Sequence, residues 1–337
     1  MKENNSGPLL PLLSSLLKEA STSKKNNEYE SIDFSIIGKA ISVLAPSKRA
    51  FTRILSSAFF GNVDGKKTDI EIVIFESIDE QFVQALNIKD PEGNLLLREY
   101  SDEQFVVIDR SWNAIYFLDR SQGFGGVWAQ DFEKVSLASF ITPLRTLLSW
   151  CVEGEGAELV HAAGVEIENK GILLTGPSGS GKSTLALYAA LNGQGILGDD
   201  AVIVHAGKMK AIYQNAKVDK YKNLLNVDER RRINLNGLGI SKDILPLTNN
   251  GFNFLSESEL KAVVLPSVGQ KTQWTRMKKI DAIKEFMPQT TKELLGGTNQ
   301  NVKNLLGIVN TFPFFKLELS GNLEENLLAL KSISAET

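Results

Sequence analysis

The sequence predicts an α/β protein in two parts: a phosphate-loop domain preceded by a smaller α/β domain. Three features predict it. The stretch Thr68 to Phe75 carries Ile70, Ile72, Val73 and Ile74, a β-branched run of the kind that forms strands. The stretch Ile172 to Leu191 reads strand, glycine-rich loop, helix, with the loop Gly-Pro-Ser-Gly-Ser-Gly-Lys-Ser-Thr at 176–184. The stretch Ile196 to Val204 reads as a further strand with the acidic pair Asp199-Asp200 inside it.

From the start of the chain, Leu9 to Leu17 reads as a short amphipathic helix. It is broken by Pro11 and lacks the positive start and small-residue cleavage site of a secretory signal. Residues 19–30 are polar and read as a flexible linker, so residues 1–30 are expected to be a flexible segment. Residues 31–150 are expected to form the accessory α/β domain, with strands from Arg98 to Asp119 separated by turns at Ser101-Asp102 and Ser111–Asn113. Leu137, Phe140, Ile141, Leu144, Leu147, Leu148 and Cys151 recur at helical spacing, and Gly154 and Gly156 close that helix. The second domain, 151–337, opens with a strand from Leu159 to Ile167, a turn at 168–171 and the strand leading into the loop. The helix Lys182 to Leu191 follows, then the acidic strand and a strand from Lys208 to Tyr213. A strand at Leu260–Leu265, a helix at Ile280–Phe286 and a helix–strand–helix run from Val302 to Leu330 complete it.

Composition narrows the function. Apolar residues make up 42% and charged residues 23% of 337, ordinary for a chain that buries a core. A net charge of −3 argues against nucleic acid or an anionic membrane surface as partner. No apolar run approaches the ~20 residues of a membrane span. The single cysteine, Cys151, rules out an intrachain disulfide and a cysteine metal cluster, in keeping with a reducing, cytoplasmic setting.

The loop fits G-x-x-x-x-G-K-[ST], the Walker A pattern, and points to a nucleotide such as ATP with Mg²⁺. Gly176, Gly179 and Gly181 allow backbone N–H groups, with Ser178 and Ser180, to turn toward phosphates. Lys182 offers a charge to the β- and γ-phosphates, Ser183 a hydroxyl to Mg²⁺, and Thr184 continues into a helix whose positive end faces the anion. Asp199 lies 17 residues beyond Lys182. An acidic pair at that place suits a metal ligand and a base for a hydroxyl, and alternation along a strand would send the two carboxylates to opposite sides. A transporter-type ATPase is disfavoured, because residues 200–337 contain no Leu-Ser-Gly-Gly-Gln and no hydrophobic strand ending in Asp-Glu.

Three blocks, His161-Ala-Ala-Gly-Val165, the loop at 176–183 and Gly198-Asp-Asp200, together resemble the catalytic domain of HPr kinase. The same blocks are similar to those of ATP-dependent phosphoenolpyruvate carboxykinase, which shares its fold. The overall layout is most similar to HPr-kinase-related proteins. The resemblance implies a mixed sheet, ATP and Mg²⁺ as cofactors, Asp199 and Asp200 as metal ligand and base, and His161 beside the phosphates or metal. Residues 233–240 echo the glycines of the HPr kinase signature without its Glu and Arg. The arginines that bind the carboxykinase's substrate are likewise not recognisable, so both family substrates are set aside.

The expected activity is therefore phosphoryl transfer to a hydroxyl of a peptide, protein or small molecule, with a homo-oligomer left open. A small-metabolite kinase, or a nucleotide-binding regulatory module without catalysis, are the alternatives. Arg230, Arg231 and Arg232, and more weakly Arg276, are candidate further cations; His205 carries no motif.

Overall fold

A computed structural model describes residues 9–47, 55, 58–61, 67–88, 96–109, 113–132, 142–219, 242–248, 251–293 and 299–337. It divides into two compact units, one of Met1–Ser56 with Gly61–Cys151, the other of Ser57–Phe60 with Val152–Thr337.

The first unit begins with helix α1 (Leu10–Asn26). This helix runs through most of the stretch expected to be a flexible linker. Its polar composition conceals a stripe, Leu9, Leu12, Leu13, Leu16, Ala20 and Ser23, that returns every three or four residues and is buried. The stripe packs with Val73, Phe75, Phe117 and Trp128, and Lys24 and Lys25 in the last turn complement the helix dipole. Strands β1 (Tyr29–Ile36), β2 (Lys39–Pro46) and β3 (Ile70–Glu76), helix α2 (Glu80–Leu86), and strands β4 (Leu96–Tyr100), β5 (Gln104–Asp109), β6 (Ala114–Asp119) and β7 (Phe124–Ala129) follow. They form a sheet in the order β1-β2-β3-β7-β6-β5-β4, parallel at β2–β3 and β3–β7 and antiparallel elsewhere. Helix α3 (Arg145–Glu153) closes the unit. Leu137, Phe140 and Ile141 of the expected stripe lie outside the described residues. Cys151 is fully buried, and burial pushes its thiol up to about 12, which keeps it protonated and inert.

The second unit contains strands β8 (Glu158–Val160), β9 (Ala162–Ile167) and β10 (Lys170–Thr175), helix α4 (Lys182–Leu191), and strands β11 (Gly195–Gly198), β12 (Val202–His205), β13 (Lys208–Lys210), β14 (Asn215–Asp219), β15 (Lys242–Pro246), β16 (Asn253–Phe254), β17 (Glu257–Val268) and β18 (Gln273–Arg276). Helices α5 (Lys279–Glu293) and α6 (Asn299–Thr311), strand β19 (Phe314–Leu319) and helix α7 (Leu323–Ala335) end it. The sheet is mixed, as expected: β10, β17 and β19 run parallel, while β9 is antiparallel to both β10 and β11. Alternation along β10 feeds both faces. Ile172 and Leu174 meet Leu185 and Ala189 of α4 and Leu330 of α7, whereas Leu173 packs with Phe286 of α5 and Leu305 of α6. Strands β14 and β15 make a separate antiparallel pair. Ala58–Phe60 lie along residues 212–214, with Phe60 N donating to Ile212 O at 2.9 Å and Gln214 N to Ala58 O at 2.9 Å. Among the described residues, no helix is long and apolar enough to cross a membrane.

Two strands expected to be continuous are broken. Leu159–Ile167 divides at His161, and Ile196–Val204 divides at Asp199–Ala201. The breaks lie opposite one another, because Gly198 pairs with Gly164 and Val202 with Val160 in one antiparallel register. Both chains leave one branch of the sheet and enter the other at this point, and the ladder opens between them.

Glu158 on β8 is buried, with its carboxylate accepting from Asn301 Nδ2 at 3.1 Å and from Asn304 Nδ2 at 3.3 Å. Desolvation outweighs these donors, and with the neighbouring charge of Glu153 it lifts the Glu158 carboxyl to about 8. A carboxyl whose pKa is raised by folding contributes stability below its unfolded value, and that contribution fades as pH rises toward the folded value. Chemical denaturation of the full chain across a pH series should therefore show stability declining between about pH 5 and about pH 8, by up to ~1.4 kcal/mol per pH unit from this group. Glu158→Gln should flatten that slope; an unchanged slope would refute the assignment.

Candidate functional site

The site lies where the parallel strands end and the broken ladder opens. Strand β10 delivers the chain into the loop through Thr175, fully buried, whose hydroxyl donates to His161 O at 3.1 Å. Gly176 is buried, Pro177, Ser178 and Gly179 are exposed at the tip, and Ser180 is buried again. The turn closes with Ser180 N donating to Pro177 O at 3.2 Å. Gly181, the residue before α4, has φ 98°, a left-handed conformation that glycine adopts without a Cβ penalty. A Cβ there would come within 2.5 Å of Leu319 Cδ1, so strand β19 also presses the loop into shape.

Lys182 is buried and its ammonium curls back over the loop, donating to Gly176 O at 2.6 Å and Pro177 O at 3.1 Å. The charge is thereby held at the loop's own mouth. The Ser180 hydroxyl is buried without a hydrogen-bond partner. An orphaned hydroxyl inside a glycine-rich loop at a helix N-terminus suits an anion able to accept from it. Ser183 and Thr184, both half-buried, begin α4.

Ser183 ties the loop to the opening in the ladder. Its Oγ donates to Asp199 Oδ1 at 2.7 Å, and Asp199 Oδ2 accepts from Lys217 N at 3.0 Å. Asp199 is 1% exposed and has both oxygens engaged. Asp200 sits in a bend with φ 75° rather than in the expected alternating strand. The two carboxylates take different partners, yet both lie against Lys217. Asp200 Oδ2 accepts from Lys217 Nζ at 2.6 Å, and its side chain keeps 12% exposure.

His161 faces Asp200 across the opened ladder. Its Nδ1 lies 3.0 Å from Asp200 O and 3.6 Å from Asp200 Oδ1. A carbonyl only accepts, so Nδ1 carries the proton and donates, leaving Nε2 as the other functional atom.

The fold thus gathers His161, Lys182, Ser183, Asp199 and Asp200 around one point. It does not gather every candidate. His205 ends β12 and contributes to no contact of the site. Arg276 pairs with Phe315 near the start of β19, about 13 Å by strand rise from Leu319 at the loop. Arg230, Arg231, Arg232 and the glycine echo at 233–240 lie outside the described residues.

Lys217 is the residue that sequence reading missed. It stands in Asn-Ala-Lys-Val-Asp, where the alternation of buried Ala216 and Val218 gives a strand pattern, and no motif marks the lysine. Asn215, two positions earlier on the same face of β14, is fully buried with neither amide atom paired.

No protein-family model matches the chain. A segment of 57 residues is 42% identical to an HPr kinase/phosphorylase of Pelodictyon phaeoclathratiforme. The match spans 17% of this chain and 17% of that relative's length, so the relationship is a local one. The HPr(Ser) kinase/phosphatase structure from Coxiella burnetii aligns over 53% of this chain and 99% of its own at 14% identity, with a TM-score of 0.28. A superposition that loose adds no weight to the reading of the fold. What relates this chain to HPr kinase/phosphorylase is a short stretch of shared sequence.

Proposed function

We propose that this protein is an ATP- and Mg²⁺-dependent kinase that transfers the γ-phosphate to a hydroxyl of a peptide, protein or small molecule. The observation that carries the reading is the hydrogen bond from Ser183 to Asp199. It joins a phosphate loop to an acidic bend and leaves Asp200 beside them, paired with the Lys217 ammonium. The local likeness to HPr kinase/phosphorylase supports the same class of chemistry.

The donor set fits a metal bound together with a nucleotide. Mg²⁺ takes oxygen ligands, keeps several waters, and is usually held by one or two carboxylates plus phosphates rather than by an all-protein cage. Ser183 Oγ, Asp199 and Asp200 offer that set. By donating its proton to Asp199, Ser183 turns its lone pairs away from the carboxylate and is oriented as a ligand. When bound, Mg²⁺ supplies charge neutralisation for the phosphates.

The remaining work falls to side chains of this chain. Lys182 moves from the carbonyls of Gly176 and Pro177 to phosphate oxygens, a stronger, charge-assisted pairing. Asp199, closed in by Ser183 and by the Lys217 amide, anchors the loop to the bend. Asp200 keeps the greater exposure and has two oxygens for two tasks: one can ligand Mg²⁺, while the other takes the acceptor hydroxyl's proton as the acceptor oxygen bonds to the γ-phosphorus and the bridging bond to ADP breaks. His161 donates from Nδ1 to the Asp200 backbone carbonyl and so holds its ring beside the site. Residues 31–150 act as an accessory unit that recognises the acceptor or mediates assembly, and the protein works in the cytoplasm. The acceptor differs from HPr, since residues 233–240 lack the Glu and Arg of the HPr kinase signature.

Lys182→Ala should cost about 2–5 kcal/mol of nucleotide binding, as truncating a buried charged donor does, measured by calorimetry with Mg·ATP. Asp200→Asn should lower turnover roughly 10²–10⁴-fold and also weaken metal binding, while Asp199→Asn should raise the Mg²⁺ concentration needed for binding with a smaller loss of turnover at saturating Mg²⁺. Transfer at the parental rate by both aspartate variants would sink the mechanism. Gly181→Ala should lower thermal stability by ~1–3 kcal/mol, because a left-handed residue gains a Cβ facing Leu319; an unchanged melting curve would count against the tight loop.

A further inference from the structure

Lys217 touches both aspartates by different means. Its backbone N–H donates to Asp199 at 3.0 Å, a contact that any residue but proline could make. Its ammonium lies 2.6 Å from Asp200 Oδ2, a contact that only a long cation makes. The first fixes the stem beside the site; the second neutralises a carboxylate that is 9% exposed. A buried carboxylate stripped of its cation is strongly unfavourable, so Asp200 depends on some positive charge nearby. Lys217 supplies it in this structure. A divalent cation on Asp200 would supply it twice over and would stand within a few ångströms of the ammonium, where like charges repel strongly in a site of low dielectric. The lysine can yield, because its side chain is 20% exposed and its stem is flexible.

We propose that Lys217 is a built-in counter-ion for Asp200, and that the ion pair seen here and metal ligation by Asp200 are alternatives. The pair keeps the carboxylate aimed, and ligation of a metal by Asp200 would displace the ammonium. Released from Asp200, the ammonium stays tethered by the Lys217 backbone within reach of the anionic group being transferred. This inference rests on the phosphotransferase reading above. It makes Lys217 a positioning residue with a consequence that a purely structural lysine would not have: its removal should tighten metal binding.

The test uses the full chain and Mn²⁺ with a non-hydrolysable ATP analogue, following the loss of the free-Mn²⁺ EPR signal. Lys217→Met and Lys217→Gln should bind Mn²⁺ more tightly than the parent, by a factor in the ~5–150 range of ordinary site-to-site coupling. Both variants should melt below the parent without ligand, and the gap should narrow when Mn²⁺ and the analogue are added. Lys217→Arg should bind Mn²⁺ more weakly than the parent, since a guanidinium grips a carboxylate through two donors; this arm decides the matter if neither neutral variant folds. Neutral variants with unchanged or weaker Mn²⁺ affinity, or an arginine variant that binds as tightly as the parent, would overturn the counter-ion while leaving the phosphotransferase reading standing. A parent protein that takes up no Mn²⁺ with the analogue would bring down both.

Discussion

The hydrogen bond between Ser183 and Asp199 spans two pieces of chain that the sheet alone would leave independent. On one side is the loop, set by β10 and α4; on the other is the bend that interrupts β11 and β12. Because Asp199 also accepts from the Lys217 amide, the bond extends to β14, which belongs to neither branch of the large sheet. Three elements from separate parts of the topology thus converge on one buried carboxylate. Remove that carboxylate, and Ser183 loses its tie to the bend, while Lys217 keeps its ion pair with Asp200.

The bend itself is a property of the sheet. Two adjacent antiparallel strands cross between branches at the same level, and their ladder opens at His161–Ala163 and Asp199–Ala201. Opening a ladder leaves peptide groups to be satisfied elsewhere. Here His161 Nδ1 takes the Asp200 carbonyl, and the Thr175 hydroxyl takes the His161 carbonyl. The residues that repair the break are therefore the ones that stand in the site. Backbone repair and polar chemistry are the same set of contacts, which is why the site needs little loop structure to hold it.

Much of this was legible in the sequence, for a physical reason. A phosphate loop needs glycines at fixed places and a strand and helix at its ends, so 172–191 announces itself, and helix Lys182–Leu191 falls where its apolar spacing puts it. The aspartates stand out by their strand and their distance from Lys182, and His161 through the motif resemblance. The breaks beside them were not legible, because Leu159–Ile167 and Ile196–Val204 remain apolar enough throughout to read as single strands; sheet switching is a tertiary event. The helix over 10–26 was missed in its second half because Ala20 and Ser23 pack well while looking polar or neutral in composition. Lys217 had no signal at all, since its meaning comes from Asp199 and Asp200, 18 and 17 residues away along the chain.

The short segment Ala58–Phe60 has a bearing on how this protein comes into being. It belongs to the second unit, lying against residues 212–214, and Phe60 meets Phe254 edge-on at 4.9 Å. Yet a ribosome makes it long before any of its partners. The second unit is thus not a contiguous stretch of gene: a fragment cut at residue 152 would lose the bonds of Phe60 to Ile212 and of Gln214 to Ala58, just ahead of β14, the strand that bears Lys217. During synthesis the chain must carry those few residues without these partners until residues 212–214 and Phe254 have emerged. The completion of the second unit is therefore postponed until a piece of the earliest-made chain is recruited into it.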